Sequence, residues 1–307
     1  MKVSGFTFAR NAVKLQYPIV ESIRSILPIV DEFVVAVGAG EDDTAGLIRS
    51  IGDPKIRIIE SQWNPNLRDG GYVLAQQTNV ALLNCTGEWA IYLQADEAIH
   101  ERDHARLIEL MTHYRADDGV EGMLLQRISF FGDYDTVLNV HPFLNDLACR
   151  VVKPHRFVLS RGDAAGFTVH PKYKERGHRI RVVDTGLDVF HYCDVRPPAV
   201  SAQFQDEKNR YWTDEAKPSD YYQKVPRIFL APFRGSHPAS MLERIAAYDQ
   251  PLDLASPRWR TALTASERRQ QWRSRLIDLF GYAAGPGRSS RRIVASHRTA
   301  NQHPDIG

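Results

Sequence analysis

The first hundred residues alternate between short β-forming runs and stretches with helical spacing, and this alternation constrains the fold most strongly. Residues 3–8 and 33–37 predict strands, and residues 17–29 predict a helix between them because its isoleucines recur at helical spacing. The second run is apolar throughout, as is typical of a buried parallel strand. Strand–helix–strand units of this kind build parallel sheets. The sequence therefore predicts an α/β fold with a mixed, mostly parallel sheet flanked by helices.

The alternation of predicted strands and helices continues along the chain and then becomes less regular. Further helices and strands are predicted, in chain order, at residues 44–51 (helix), 56–60 (strand), 72–84 (helix), 89–93 (strand), 104–114 (helix), 123–131, 149–152, 179–183 and 189–192 (strands). From residue 196 the composition shifts toward helix formers with scattered Trp and Tyr, whereas residues 285–307 are rich in Gly, Ser and Arg without an apolar period. We therefore expect a domain over 1–195, a helical C-terminal extension over 196–284 and a disordered tail over 285–307.

Composition narrows the class of protein. The formal net charge of +2 over 307 residues gives no argument for a nucleic-acid partner. Cys85, Cys149 and Cys193 are too widely spaced for a disulfide framework or a paired-cysteine zinc motif. Residues 1–10 lack a signal-peptide pattern, and no run of about 18 apolar residues suggests a spanning helix. We expect a cytoplasmic protein, with the inner membrane face as an alternative peripheral location.

A polar, acidic segment at residues 94–97 directly follows the apolar strand at 89–93. In open α/β sheets, ligands bind outside the carboxyl ends of the strands. Mg²⁺ and Mn²⁺ prefer oxygen ligands and bridge protein carboxylates to phosphates. Asp96 is therefore a candidate metal ligand. The alternative is that Asp96 caps the helix beginning near Arg102, and the residues alone leave both interpretations open.

Several separated segments resemble the family-2 glycosyltransferases of GT-A fold over roughly residues 1–195. They are residues 6–11 after the first strand, the acidic turn at 41–44, and residues 86–97, which look like the family's passage into its DxD motif. The resemblance implies a GT-A, Rossmann-like fold that binds a nucleoside-diphosphate sugar and Mn²⁺ or Mg²⁺. It also implies transfer of the sugar to a glycan, lipid-linked or peptide acceptor, as in cell-envelope polysaccharide biosynthesis.

The resemblance also assigns metal ligands. Asp96 matches the second acidic position of DxD, which is the family's usual direct ligand. The first acidic position is Gln94, which brings no charge to the metal and is assigned to donor binding. His191 is implied as the second ligand, because family members often place a metal-binding His late in the fold, and Arg196 follows it here as in the family. Neutral imidazole suits Mn²⁺, and the alternative is a core histidine.

An inverting transfer needs a base that takes the proton of the acceptor hydroxyl. Asp163, in a loop flanked by glycines, resembles the position of the family's acidic base. The alternative is a turn residue that binds its own backbone. Four other acidic residues are rivals for the same role: Asp146, Glu175, Asp184 and Asp188.

Residues near the ends of the first two strands are candidates for donor binding. They are Ala9, Arg10 and Asn11 after the first strand, and Asp42 and Asp43 after the second. A carboxylate suits a pair of ribose hydroxyls, whereas helix capping is the structural alternative for Asn11 and Asp43. Arg68 precedes the long helix at 72–84 and is a candidate contact for the diphosphate.

Two other functions are compatible with the same residues. A nucleotidyltransferase would share the sheet and the metal chemistry, but its usual Gly-rich phosphate loop is missing after the first strand. A catalytically degenerate protein that binds sugar nucleotides or protein partners would explain Gln94 in place of an acidic residue. A homodimer is a further open possibility.

Overall fold

The computed structural model describes residues 1–67, 69–140, 143, 146–171, 176–211, 220–280 and 291–298. The strands are β1 Val3–Ala9, β2 Glu32–Gly38, β3 Ile56–Ser61, β4 Trp89–Tyr92, β5 Glu97–Ala98, β6 Gly122–Phe131, β7 Thr136–Leu138, β8 Leu147–Val152, β9 Val158–Arg161, β10 Gly166–Val169, β11 His178–Asp194, β12 Leu230–Pro232 and β13 Arg291–Ser296. The helices are α1 Ile19–Ile26, α2 Thr44–Arg49, α3 Tyr72–Leu82, α4 His104–His113, α5 Pro198–Asn209, α6 Tyr221–Lys224, α7 Leu242–Ala246 and α8 Ala265–Phe280.

The strands form a mixed sheet in the order β3-β2-β1-β4-β8-β6-β11-β10-β9. β3, β2, β1 and β4 are parallel, β8 runs antiparallel to both β4 and β6, and β11 is parallel to β6. The predicted mixed α/β fold is confirmed. Its parallel region is the first half of the sheet, where helices connect successive strands.

Side chains that alternate along the strands build one core on each face of the sheet. On one face, Trp89 and Ile91 of β4 are fully buried in the cluster that also contains the buried residues of α1 and α4. On the other face, Ala90 and Tyr92 pack in the cluster that contains Ala81 of α3. Full burial of each large apolar side chain contributes roughly 1.5–3 kcal/mol. The helices therefore flank the sheet on both faces and hold the carboxyl ends of β1 and β4 at one edge.

β11 is one long strand, although the sequence predicts two separate strands in this region. Its pairing register with β6 shifts between Asp184 and Asp188, and Gly186 between them has a φ of 73°, which favours glycine. After this irregularity, His191 pairs with Glu97 of β5, and Tyr192 N–H donates to the Asp96 carbonyl at 2.8 Å. Long-range pairing therefore overrides the local break and brings the end of β11 beside the segment that follows β4.

The chain after residue 196 contains four helices among the described residues and also adds two strands. The residues just after α5 lie beside the start of α3, since Gly71 N–H donates to the Tyr211 carbonyl at 2.7 Å. β12 pairs with β7, and β13 pairs in parallel with β11. Within the stretch expected to be disordered, Arg291–Ser296 form β13, whose backbone pairs with an edge of β11. Among the residues with assigned structure, no helix combines the length and apolar character needed to cross a membrane.

Candidate active site

A cleft of about 650 Å³ lies at the carboxyl ends of β1 and β4. The end of β11 and the residues of α5 complete its walls. Six of the predicted site residues line this one cleft: Ala9, Arg10, Gln94, Asp96, Asp163 and His191. The tertiary structure therefore brings together residues that lie up to 182 positions apart in the sequence (191 − 9).

Asp96 and His191 face each other in this cleft. The Asp96 Oδ1 atom lies 3.7 Å from His191 Nε2, and the Asp96 side chain is only 7% exposed. Burial raises the pKa of Asp96 above its usual range, although the nearby Arg196 guanidinium opposes this shift. Burial also lowers the pKa of His191 well below its usual value, and the surrounding cations Arg127 and Lys208 lower it further. The imidazole is therefore neutral near pH 7, which is the form that binds a metal.

The donor atoms at this position suit a divalent cation. Asp96, His191 and Cys193 each offer one ligand atom, and the three atoms lie within 4.8 Å of one another. A carboxylate oxygen and a neutral imidazole nitrogen are common ligands of Mn²⁺ and related ions. Asp96 and His191 therefore fit a divalent cation such as Mn²⁺.

Glu97 holds the segment after β4 in place. Its carboxylate accepts two hydrogen bonds of 2.7 Å from Arg150 Nε and Nη2, and both side chains are 0% exposed. Glu97 Oε2 also accepts from Gln94 N–H at 3.1 Å, and the Gln94 carbonyl accepts from Ser22 Oγ at 3.1 Å. A buried, fully hydrogen-bonded ion pair thus fixes the backbone from which Asp96 projects.

Cationic side chains surround the same position. Arg196 is almost fully buried, and its Nε donates to the Leu15 carbonyl at 2.9 Å while its guanidinium stacks on the Phe204 ring at 3.7 Å. Its Nη2 has no hydrogen-bond partner among the residues with described positions and lies 4.0 Å from Asp96 Oδ2. An unpaired buried donor of this kind is costly, and an anionic ligand in the cleft would satisfy it.

Lys208 of α5 adds a second cation. Its Nζ lies 3.8 Å from Cys193 Sγ, and electrostatic interaction with Cys193 and then with Asp194 and Asp96 raises the pKa of Lys208 above the usual value. Lys208 is therefore charged at neutral pH. Sequence reasoning missed it, because nothing in the local pattern of α5 shows that this helix closes a cleft.

An aromatic group forms the end of the cleft nearest β1. Trp63 packs against Tyr211 with ring centroids 5.4 Å apart and against Phe8 at 5.8 Å. Arg10 lies over the Trp63 ring at 5.5 Å, and its Nη1 donates to Tyr211 Oη at 2.8 Å. A Cβ atom on Gly38 would come within 2.1 Å of Trp63 Nε1, so this position must lack a side chain. Aromatic faces beside a cation suit a planar, polar ligand.

Three predicted donor-binding residues lie outside the lining of the cleft. The Asn11 amide accepts from Glu41 N–H at 2.7 Å and donates to Glu207 at 3.0 Å. Asp42 accepts from Lys14 N–H at 2.7 Å, and Asp43 caps α2 by accepting from Gly46 N–H at 2.8 Å. In this structure the three side chains stabilise loops outside the cleft lining, because backbone N–H groups bind an oxygen of each. Arg68 lies outside the described residues.

Asp163 lines the cleft and also stabilises its own turn. Its Oδ1 accepts from Ala165 N–H at 3.2 Å, and Ala164 between them has a φ of 62°. Three of its rivals lie outside the cleft lining and pair with arginines: Asp146 with Arg127, Asp184 with Arg298 and Asp188 with Arg102. Glu175 lies outside the described residues.

The sequence did not single out Asp194, which also lines the cleft. Its carboxylate pairs with Lys224. Burial alone would raise its pKa, but Lys224, Lys208 and Arg196 outweigh burial and hold the pKa of Asp194 below its usual value. Asp194 is therefore a weaker proton acceptor than a free carboxylate.

Comparison with known proteins gives only distant likenesses. No protein-family model matches the sequence, and no curated protein matches it. Among solved structures, S. aureus TarS 1–349 is 14% identical with a TM-score of 0.40, covering 70% of this chain and 67% of that one. Glucosyl-3-phosphoglycerate synthase from Mycobacterium tuberculosis is 19% identical with a TM-score of 0.30, covering 42% and 44%. Mannosyl-3-phosphoglycerate synthase from Rubrobacter xylanophilus is 19% identical with a TM-score of 0.30, covering 44% and 42%.

These matches span about two thirds of the first solved chain and less than half of the other two. With TM-scores this low, they carry no weight for the function of this chain. Its function has to be inferred from the cleft and the residues that line it.

Proposed function

We propose that this protein is a glycosyltransferase that transfers a sugar from a nucleoside-diphosphate sugar to an acceptor hydroxyl with the help of a divalent cation. One observation carries the proposal. Asp96 and His191 lie 3.7 Å apart at the carboxyl ends of the strands, and the unpaired guanidinium nitrogen of Arg196 lies 4.0 Å from the same carboxylate. Metal ligands beside a fixed cation suit a diphosphate.

The nucleoside and the diphosphate of the donor would bind at different ends of the cleft. Trp63 and Tyr211 would stack on the nucleoside, with Arg10 available to its polar edge. Arg196 and Lys208 would then bind the diphosphate. A bound divalent cation would add positive charge where the diphosphate gains negative charge as the sugar leaves. Mn²⁺ and Mg²⁺ are the proposed cations.

Asp163 is the proposed base of an inverting reaction. Only its Oδ1 forms a hydrogen bond within the described parts of the chain, which leaves Oδ2 available to a hydroxyl. Asp194 is a poorer choice because Lys224 already pairs with it and holds its pKa low. In the reaction, the acceptor oxygen would attack the anomeric carbon as its proton passes to Asp163 and the diphosphate leaves. The proposed acceptors are glycans, lipid-linked glycans or peptides.

Nucleotide release tests this function. The full chain is incubated with a panel of nucleotide sugars that includes UDP-glucose, with Mn²⁺ or with EDTA, and nucleoside diphosphate is measured. UDP-glucose and Mn²⁺ are named for one of the solved structures above, which makes them practical first probes. We expect release that requires Mn²⁺ and that falls at least about 100-fold in Asp96→Asn, since one ligand and its charge are lost.

Asp43→Asn is the matched control, because Asp43 lies outside the cleft and Asn caps helices as well as Asp does. Release from none of the donors would overturn the proposal, as would equal release by Asp96→Asn and Asp43→Asn. Donor binding by calorimetry without release would instead favour a degenerate binding protein. Pyrophosphate formed from a nucleoside triphosphate and a sugar phosphate would favour a nucleotidyltransferase.

A further inference from the structure

Cys193 is the third donor beside Asp96 and His191, and the proposed function assigns it no role. It lies two residues after His191 on β11, and both residues line the cleft. Tyr192 between them packs among the aromatic rings of Phe130 and Tyr134. The thiol therefore shares the cleft with the imidazole and is not part of the aromatic core.

The separations suit one small cation. In a tetrahedral zinc site, bonds of about 2.0–2.3 Å place the ligand atoms roughly 3.5 Å apart. Asp96 Oδ1 and His191 Nε2 already meet this separation at 3.7 Å, and all three ligand atoms lie within 4.8 Å. The sulfur would need to move by only about 1 Å to complete the set.

We propose that Cys193 is a third protein ligand of the cation held by Asp96 and His191, and that the site therefore prefers a thiophilic ion, Zn²⁺ or Co²⁺, to Mg²⁺. Thiolate sulfur selects such ions, whereas Mg²⁺ requires oxygen ligands in octahedral geometry. Three protein ligands leave a fourth position open, as in catalytic zinc sites, and a diphosphate oxygen would fill it. This proposal rests on the proposed function and changes its preferred cation from Mn²⁺ or Mg²⁺ to Zn²⁺ or Co²⁺.

Lys208 provides a consequence of the same arrangement. Its Nζ lies 3.8 Å from the Cys193 sulfur, so a cation bound to the thiolate would repel the ammonium group. Binding of the cation would turn Lys208 away from the sulfur. The Lys208 ammonium group would then pair with the diphosphate, which lies beside the cation in the proposed complex.

Cobalt titration of the full chain, without donor or acceptor, tests the proposal directly. A thiolate bound to Co²⁺ gives a sulfur-to-metal charge-transfer band in the near ultraviolet, and Zn²⁺ displaces the Co²⁺ and abolishes the band. We expect the band in the wild type and in Cys85→Ser, whose cysteine lies beyond α3 and away from the cleft. Cys193→Ser should lose the band and bind Zn²⁺ at least about tenfold more weakly, with little change for Mg²⁺.

Alkylation gives a second readout that needs no variant. Zn²⁺ should slow the reaction of iodoacetamide with Cys193 in the wild type, measured by mass spectrometry of the Cys193 peptide, whereas Mg²⁺ should not. Absence of the band from the wild type, its persistence in Cys193→Ser, or equal alkylation with and without Zn²⁺ would overturn the proposal. Nucleotide release with Mn²⁺ in the absence of the band would leave the transferase standing without the thiolate ligand. The band without release from any donor would leave the cation site without the transferase.

Discussion

The buried pair of Glu97 and Arg150 should be a major stabilising element of the site. Both side chains are 0% exposed and are joined by two hydrogen bonds of 2.7 Å. Glu97→Gln keeps the shape of the side chain but leaves the Arg150 guanidinium buried without its hydrogen-bonded carboxylate. Removing one partner of a buried pair costs about 3–5 kcal/mol, because the remaining charge stays away from water.

The expected change in melting temperature follows from the length of the chain. An unfolding entropy of about 2.1 cal/mol/K per residue over 307 residues gives about 0.6 kcal/mol/K, so the loss corresponds to a decrease of roughly 5–8 °C. Scanning calorimetry or thermal circular dichroism measures this shift. Cation binding should weaken in the same variant, because Glu97 also accepts the hydrogen bond from Gln94 N–H that fixes the loop of Asp96.

Two comparisons show whether burial is the cause. The exposed pair of Glu88 and Arg115 provides a matched control, and Glu88→Gln should lower the melting temperature far less, because solvent screens that pair. The double variant Glu97→Gln, Arg150→Met should be more stable than Glu97→Gln alone, because no unpaired charge remains in the core. The reasoning is refuted if Glu97→Gln melts at no lower a temperature than Glu88→Gln. It is also refuted if the stability lost by the double variant equals the sum of the losses of Glu97→Gln and Arg150→Met.

Three further predictions concern other parts of the chain. Gly38→Ala places a methyl group 2.1 Å from Trp63 Nε1, so it should lower the free energy of unfolding in urea by about 1–3 kcal/mol. It should also weaken nucleotide binding measured by calorimetry. Unchanged binding would show that Trp63 does not contact the nucleotide. The hydrogen bond from Arg260 lowers the pKa of Glu267 from 4.5 to about 2, so its stabilisation is complete above pH 4.5 and is lost as the pH falls toward 2. The difference in unfolding free energy between wild type and Glu267→Gln should therefore shrink over that range, and a constant difference would contradict the assignment. Burial raises the pKa of Asp96, so the metal-free wild type loses stability as the pH rises above 3.8. Asp96→Asn should therefore have a higher melting temperature than the wild type in EDTA at pH 7, and added Mn²⁺ should not raise it further. A lower melting temperature of Asp96→Asn in EDTA would show that the charge of Asp96 is already compensated.

Much of the first half of the fold could be predicted because its signals are local. The isoleucines of α1 repeat at helical spacing, and all three of Ile19, Ile23 and Ile26 are fully buried. The apolar run that forms β4 likewise places Asp96 at a carboxyl end of the sheet. Local patterns failed where distant pairing decides the outcome, as in β11, which continues through Gly186, and in β13, which was expected to be disordered.

The features of the site also fall into those that local patterns encode and those that depend on distant contacts. Local sequence patterns predict that carboxylates and a histidine lie at strand ends, because strand periodicity and turn residues are encoded in adjacent positions. Long-range packing brings Cys193 and Lys208 beside Asp96 in one cleft and pairs Arg150 with Glu97. It also gives Asn11, Asp42 and Asp43 their hydrogen bonds within loops. These contacts join residues far apart in the chain. Their formation depends on the packing of α5 and β11 against the sheet, which no local pattern specifies.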